Sequence, residues 1–140
     1  MEDSDIFAGK VPRIRMFTQP QDANVWGQIH GGVLLTHLDN AGGIAALERA
    51  RTRVVTLMVK EARFCAPTQV GDLLNVYAEV TKVGRTSLTA AAQIVAERLD
   101  VDTHRVTSTV VMTAELIYVA VDERGRKIPV REHLDTELQG

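Results

Sequence analysis

Asp39, Asn24 and the glycine pair Gly31-Gly32 are the residues of this chain whose types and spacing could do chemistry, and all fall between Asp22 and Gly43. Asp39 sits at helical spacing from Leu35, Gly42, Gly43 and Ala46. A carboxylate half withdrawn from water holds a proton more readily, and beside a pocket it can act as base or nucleophile. The plainer reading is a surface carboxylate at the edge of an amphipathic helix, or one bonding to a neighbouring subunit. Asn24 carries an amide donor and a carbonyl acceptor, so it could hold a water or orient a carbonyl. It could equally close an Asx-turn. Gly31 and Gly32 would leave backbone N–H groups open at a helix start, a receiver for developing negative charge. A flexible helix start is the alternative. His30 reads as lining the mouth of this loop.

Other nucleophiles and ligands are weaker. His30 and His37 are seven residues apart, but no further His or Cys follows at ligand spacing, so no metal site is expected. Cys65 reads as a small buried hydrophobe. Ser87 lacks the Gly-x-Ser-x-Gly elbow, and no Gly-x-x-x-x-Gly-Lys-Ser/Thr phosphate loop is present. Gly84, Arg85, Thr86 and Ser87 could bind phosphate through a turn, two hydroxyls and a guanidinium, or simply form a hairpin turn.

The elements that must hold these residues follow from periodicity. Residues 11–17 read as a short strand ended by Pro20, and a polar loop spans Gln19–Gln28. From Gly31 to about Arg49 there is no proline, and Leu34, Leu38, Ala41 and Ala45 make one apolar line widened by Leu35 and Ala46. Gly42 and Gly43 stand beside that line. Each costs a helix about 1 kcal/mol relative to alanine, which close approach by a strand or a ligand would explain. Val54–Phe64, Leu73–Val83, Ser87–Leu99 and Val106–Val121 read as strands, with turn-rich punctuation from Cys65 to Asp72. Connections this short make the last three antiparallel. The order is strand, long helix, four strands, an α+β class in which one helix covers a curled five-stranded sheet. The long last strand, with Leu116, Ile117 and Tyr118, has few charges to blunt an edge, and self-association is the natural cover.

A chain of 140 residues with 45% hydrophobic content and net charge -2 fits one soluble domain with no general attraction to a polyanion such as nucleic acid. No apolar run approaches the roughly 20 residues that span a bilayer, so no membrane insertion is expected. The single cysteine rules out an intrachain disulfide and suits the cytoplasm. Residues 1–12 read as an extension, 13–129 as the domain and 130–140 as a loosely held tail.

Taken in order, these segments resemble the hotdog-fold acyl-CoA thioesterases, in particular the bacterial acyl-CoA hydrolase group related to mammalian brain acyl-CoA hydrolase. The likeness is carried by Asn24, Gly27, His30-Gly31-Gly32, Leu38-Asp39 and Ala41, then by residues 53–56, 63–67, 70–72 and 84–87. It implies a long central helix wrapped by a curved five-stranded antiparallel sheet, and hydrolysis of acyl-CoA to acid and CoA. The resemblance assigns catalysis to Asp39, Asn24 and the Gly32 N–H, with Asn24 of one subunit meeting Asp39 of its partner. Asp39 would activate a water or attack directly. His30, Gly31 and Leu35 would line the substrate, the acyl tail running along Leu34, Leu35 and Leu38, and CoA would lie near Gly84, Arg85, Thr86 and Ser87. No cofactor is implied, since coenzyme A is part of substrate and product. The implied assembly is a homodimer with shared sites, built up to a hexamer. A non-hydrolytic acyl-CoA binder and a hotdog dehydratase using His30 are the rival expectations. Asn40 and the Cys65-Ala66-Pro67 run depart from close relatives and blur the subfamily.

Overall fold

The computed structural model describes residues 5–130. One α-helix, α1 (Gly31–Ala50), lies across a sheet of five strands, β1 (Ile14–Phe17), β2 (Val54–Phe64), β3 (Leu73–Val83), β4 (Ser87–Asp100) and β5 (Arg105–Ala120). The spatial order is β1-β3-β4-β5-β2 and every pairing is antiparallel. Strand β1 begins later than expected, at Ile14, two residues after Pro12, which has no N–H to give a ladder.

Helix α1 forms where its apolar line demands. Leu34, Leu38, Ala41 and Ala45 are all buried, and they meet sheet positions that alternate with the two-residue period of a strand. On β4 these are Leu88, Ala90, Ala92 and Ile94, and on β5 Met112, Ala114, Leu116 and Tyr118. The alanines let helix and sheet approach closely. Leu38 is wholly buried, and its burial contributes about 2 kcal/mol. The helix ends at Arg51, whose left-handed backbone (φ 56°) lets its N–H bond the Leu47 carbonyl at 2.9 Å.

The expectation of an edge at the last strand is corrected. Strand β5 lies between β4 and β2, with Leu116 and Tyr118 buried. The edges belong to the short β1 and to β2, and in β2 every residue after Val54 is exposed, including Leu57, Met58, Val59 and Phe64. Strand order cannot be read from local period: β2 follows the helix but pairs with the last strand, not the next.

The loop ahead of α1 is tied to the Cys65–Asp72 connection. Ile29 N–H donates to Thr68 O at 2.8 Å, and the Thr18 hydroxyl to Gln69 O at 2.7 Å. That connection is held in turn by Asp72, which is 1% exposed. Arg98 grips its carboxylate with two bonds of 2.8 Å, and the Gln69 N–H adds one of 2.9 Å. Burial alone would raise the Asp72 pKa, but the Arg98 fork, the Gln69 N–H and the guanidinium charge outweigh it and hold the carboxyl below its ordinary range. Before β1, Phe7 is buried and stacks on Tyr77 at 5.5 Å, so the described part of the N-terminal extension packs on the domain at this residue. Val130 N–H bonds Arg85 O at 2.7 Å; the rest of the expected tail lies outside the described residues.

Candidate active site

Asp39 projects from the middle of α1 toward the start of β2. The Thr56 hydroxyl donates to its Oδ1 at 2.7 Å. The Tyr118 hydroxyl, reaching from β5, stands 3.0 Å from the same Oδ1 and 2.8 Å from the Asp39 carbonyl oxygen. Oδ2 has no protein donor among the described residues. One carboxylate oxygen is therefore pinned and the other left open. Burial, then the Asp39 charge and its hydrogen bond, push the Tyr118 phenol well above its ordinary range, so it stays a donor.

The pair of helix glycines now has a partial explanation. A Cβ at Gly42 would collide with the Tyr118 hydroxyl and sit 3.1 Å from two of its ring carbons, so only glycine leaves room for this tyrosine. Gly43 has no such neighbour, its nearest contact being Tyr118 Cε1 at 3.9 Å. It lines a cavity of about 760 Å³ that opens beside Asp39 and is walled by Ile14, Ile44, Leu47, Val54, Val55 and Thr56.

Those walls do not include the residues expected along the acyl path. Leu34 and Leu38 are packed in the core, with Leu35 partly buried against it, and none of the three borders the Asp39 cavity. Thr56, Tyr118, Ile44 and Leu47 are the site residues the sequence reading missed. A signal existed for two of them, since Ile44 and Leu47 repeat at helical spacing from Asn40 and Gly43 on the face beside Asp39.

Asn24 is not brought to Asp39 within one chain, and it borders no part of the Asp39 cavity. Its Oδ1 accepts from the N–H groups of Trp26 (2.9 Å) and Gln28 (3.2 Å), the Asx-turn alternative. Its Nδ2 has no protein acceptor among the described residues. The helix start is also less open than expected. His30 is the N-cap, and its Nδ1 accepts the Gly32 N–H at 3.2 Å, while the Gly31 N–H has no protein acceptor among the described residues. Gly31 lies against Phe64, whose ring comes within 3.0 Å of where a Cβ would be. A second cavity of about 440 Å³ opens there, bordered by Gly31, Leu34, Phe64, Cys65 and Thr68. Cys65 is half-buried at its rim rather than in the core.

Gly84, Arg85, Thr86 and Ser87 form the β3–β4 turn. Gly84 N–H donates to Ser87 O at 2.7 Å, and the carbonyls of Arg85 and Thr86 accept from Val130 and Ala120. The backbone is thus committed to the hairpin, leaving the exposed Arg85 side chain and the two hydroxyls for any phosphate. In register, Ser87 faces Val119 and Val119 faces Val55, so the turn lies two strands, or about 10 Å, from the floor of the Asp39 cavity. Burial lowers the His37 pKa against the opposing charge of Asp22. Among the described residues no three His, Cys, Asp or Glu converge as metal ligands.

A helix embraced by a five-stranded antiparallel sheet, with a pinned carboxylate at its middle, is the arrangement of a hotdog-fold protein. Residues 27–102 match the thioesterase superfamily, and the chain belongs to that superfamily, among its hotdog-fold acyl-CoA thioesterases. It is 36% identical over 127 residues to an uncharacterised acyl-CoA thioester hydrolase of Zymomonas mobilis, covering 91% of this chain and 83% of that one. A hexameric hotdog-fold thioesterase of Campylobacter jejuni superposes with a TM-score of 0.85 at 33% identity, covering 93% of this chain and 97% of the other. A hexameric broad-specificity acyl-coenzyme A thioesterase superposes with a TM-score of 0.83 at 31% identity, covering 92% of each. No helix among the described residues is long and apolar enough to cross a membrane.

Proposed function

We propose that this protein hydrolyses acyl-CoA thioesters to the free carboxylic acid and CoA, in the cytoplasm, at sites completed across a homodimer. The observation that carries the reading is the Asp39 carboxylate, with Oδ1 bonded by Thr56 and Tyr118 and Oδ2 open to a cavity with apolar walls.

The dimer follows from β2. This edge strand is 11 residues long and exposes Val55, Leu57, Met58, Val59 and Phe64, and a twofold axis through its middle would set the Val54 end of one copy against the Phe64 end of the other. Asp39 belongs to the first end through Thr56, and the helix start belongs to the second through the Gly31–Phe64 contact. Such pairing joins the carboxylate of one subunit to the helix N-terminus and Asn24 loop of its partner. Hexameric relatives support a trimer of such dimers for this chain.

In the proposed step, Oδ2 of Asp39 takes a proton from water as the water oxygen attacks the thioester carbon. Direct attack by Oδ2, giving an anhydride that water then cleaves, uses the same geometry. The helix N-terminus polarises the carbonyl. The Gly32 N–H serves once the His30 ring rotates off its local 3.2 Å bond, and the Gly31 N–H stands beside it. Asn24 Nδ2 holds the water or the thioester oxygen. The tetrahedral intermediate collapses with loss of the CoA thiolate, which takes up the proton. Arg85, Thr86 and Ser87 receive the nucleotide end, two strands from the cavity floor. No cofactor enters this scheme.

The test is thiol release from acetyl- to palmitoyl-CoA by the protein and by Asp39→Ala and Asn24→Ala. Release by the unsubstituted protein, falling at least a hundredfold in Asp39→Ala with the oligomer intact, supports the reading. Co-assembly of the two inactive variants should restore about a quarter of the activity, because half the random dimers are mixed and each has one intact site. Absence of release from every substrate defeats the hydrolase reading; absence of restoration defeats the cross-subunit site.

A further inference from the structure

We propose that Trp26 crosses the subunit boundary with Asn24 and forms a wall of the partner's acyl pocket, setting which acyl chains are accepted. This rests on the cross-subunit site just described.

Trp26 is the only tryptophan of the chain and is 85% exposed, with Val25 beside it at 91%. An indole presents about 150–250 Å² of surface, mostly apolar, and its exposure at a loop tip calls for a cover. The loop is not loosely held. Asn24 Oδ1 accepts from Trp26 and Gln28, Asn24 N–H donates to Gln28 O at 2.6 Å, and Gly27 N–H donates to Asn24 O at 3.1 Å. Its base is fastened by His30 N–H to Asp22 O and Ile29 N–H to Thr68 O, both at 2.8 Å. Gly27 makes the turn in a left-handed backbone, φ 82°.

The position of Trp26 is thereby fixed relative to Asn24. Its N–H lies 2.9 Å from Asn24 Oδ1, and its ring extends about 6 Å from its own backbone. An Asn24 amide that touches a thioester held against the partner's Asp39 therefore keeps the indole within about 17 Å of that carboxylate, close enough for its ring to meet an acyl chain of medium length. Within that reach is an open groove. Ile44, Leu47 and Val55 of the Asp39 cavity are 36%, 51% and 46% exposed, one apolar wall without its opposite. An indole set against that wall encloses the acyl chain from its first few methylenes onward, and acetyl is too short to reach it.

The experiment measures kcat/KM for acetyl-, butyryl-, octanoyl- and palmitoyl-CoA with the unsubstituted protein, Trp26→Ala and Trp26→Phe, each checked for an intact oligomer. Expected is at least a tenfold fall in the octanoyl-to-acetyl ratio of kcat/KM for Trp26→Ala, largely regained in Trp26→Phe. The single tryptophan gives an independent readout: in Asp39→Ala, octanoyl-CoA should shift its fluorescence to the blue and free CoA should not. A fall shared equally by all chain lengths, or none, together with unchanged emission, overturns the proposal while leaving the hydrolase standing. Absence of hydrolysis by the unsubstituted protein at every chain length is instead the failure of the underlying reading.

Discussion

At the scale of single residues, the carboxylate was legible and its keepers were not. Asp39 stood out because a charge beside two mid-helix glycines on an otherwise apolar face needs a reason. Thr56 and Tyr118 each lie in ordinary strand sequence, and no local pattern says that either points at a helix 17 or 79 positions away. The glycines were the indirect signal, since they imply something bulky opposite. Asn24 shows the converse: its Asx-turn and its proposed catalytic role use different atoms, so the sequence alternatives were not exclusive. Removing the phenol oxygen should separate holding from chemistry. Tyr118→Phe retains the ring that packs on Gly42 but leaves the Asp39 carboxylate with Thr56 alone. The expected result is a loss of about 1 kcal/mol of stability by denaturant titration and a fall in kcat of roughly tenfold.

At the scale of elements, the strands and the helix were readable because each carries an unbroken period, and β2 and β3 begin and end where the sequence pattern predicts. Their neighbours in space were not readable, which is why the exposed edge was expected on β5 and found on β2. The lining of the Asp39 cavity was not readable for a related reason. Apolar periodicity in α1 identifies the face that packs on the sheet, and the Asp39 cavity does not lie on that face. The open face is the next one round, at Gly43, Ile44 and Leu47. The two helix glycines make a paired prediction. Gly42→Ala gains helix propensity but drives a methyl into Tyr118, for a net loss of about 1–3 kcal/mol. Gly43→Ala meets only an ordinary contact and should stabilise by up to about 1 kcal/mol. Thermal unfolding of the two variants should move the midpoint in opposite directions.

At the scale of the whole molecule, the described chain leaves the β2 edge unpaired, with an unlike cavity at each end of that strand. Leu57 stands two residues from the middle of that edge, 54% exposed. Leu57→Asp would set a carboxylate opposite the Glu61 position of a second copy, like charge against like, while leaving the core of each chain untouched. The variant should run as a folded monomer by light scattering, with far-ultraviolet circular dichroism unchanged and thiol release reduced at least a hundredfold. A monomer that still turned over acyl-CoA would show that one chain suffices.

Placing the carboxylate and the helix start at opposite ends of one edge strand has a consequence for abundance. On the proposed pairing, no chain owns a working centre, so turnover per chain depends on how many chains have met. Below the dimer dissociation constant the output would rise with the square of the amount of protein, and above it in simple proportion. Dilution alone, with no effector and no change in fold, would silence the protein.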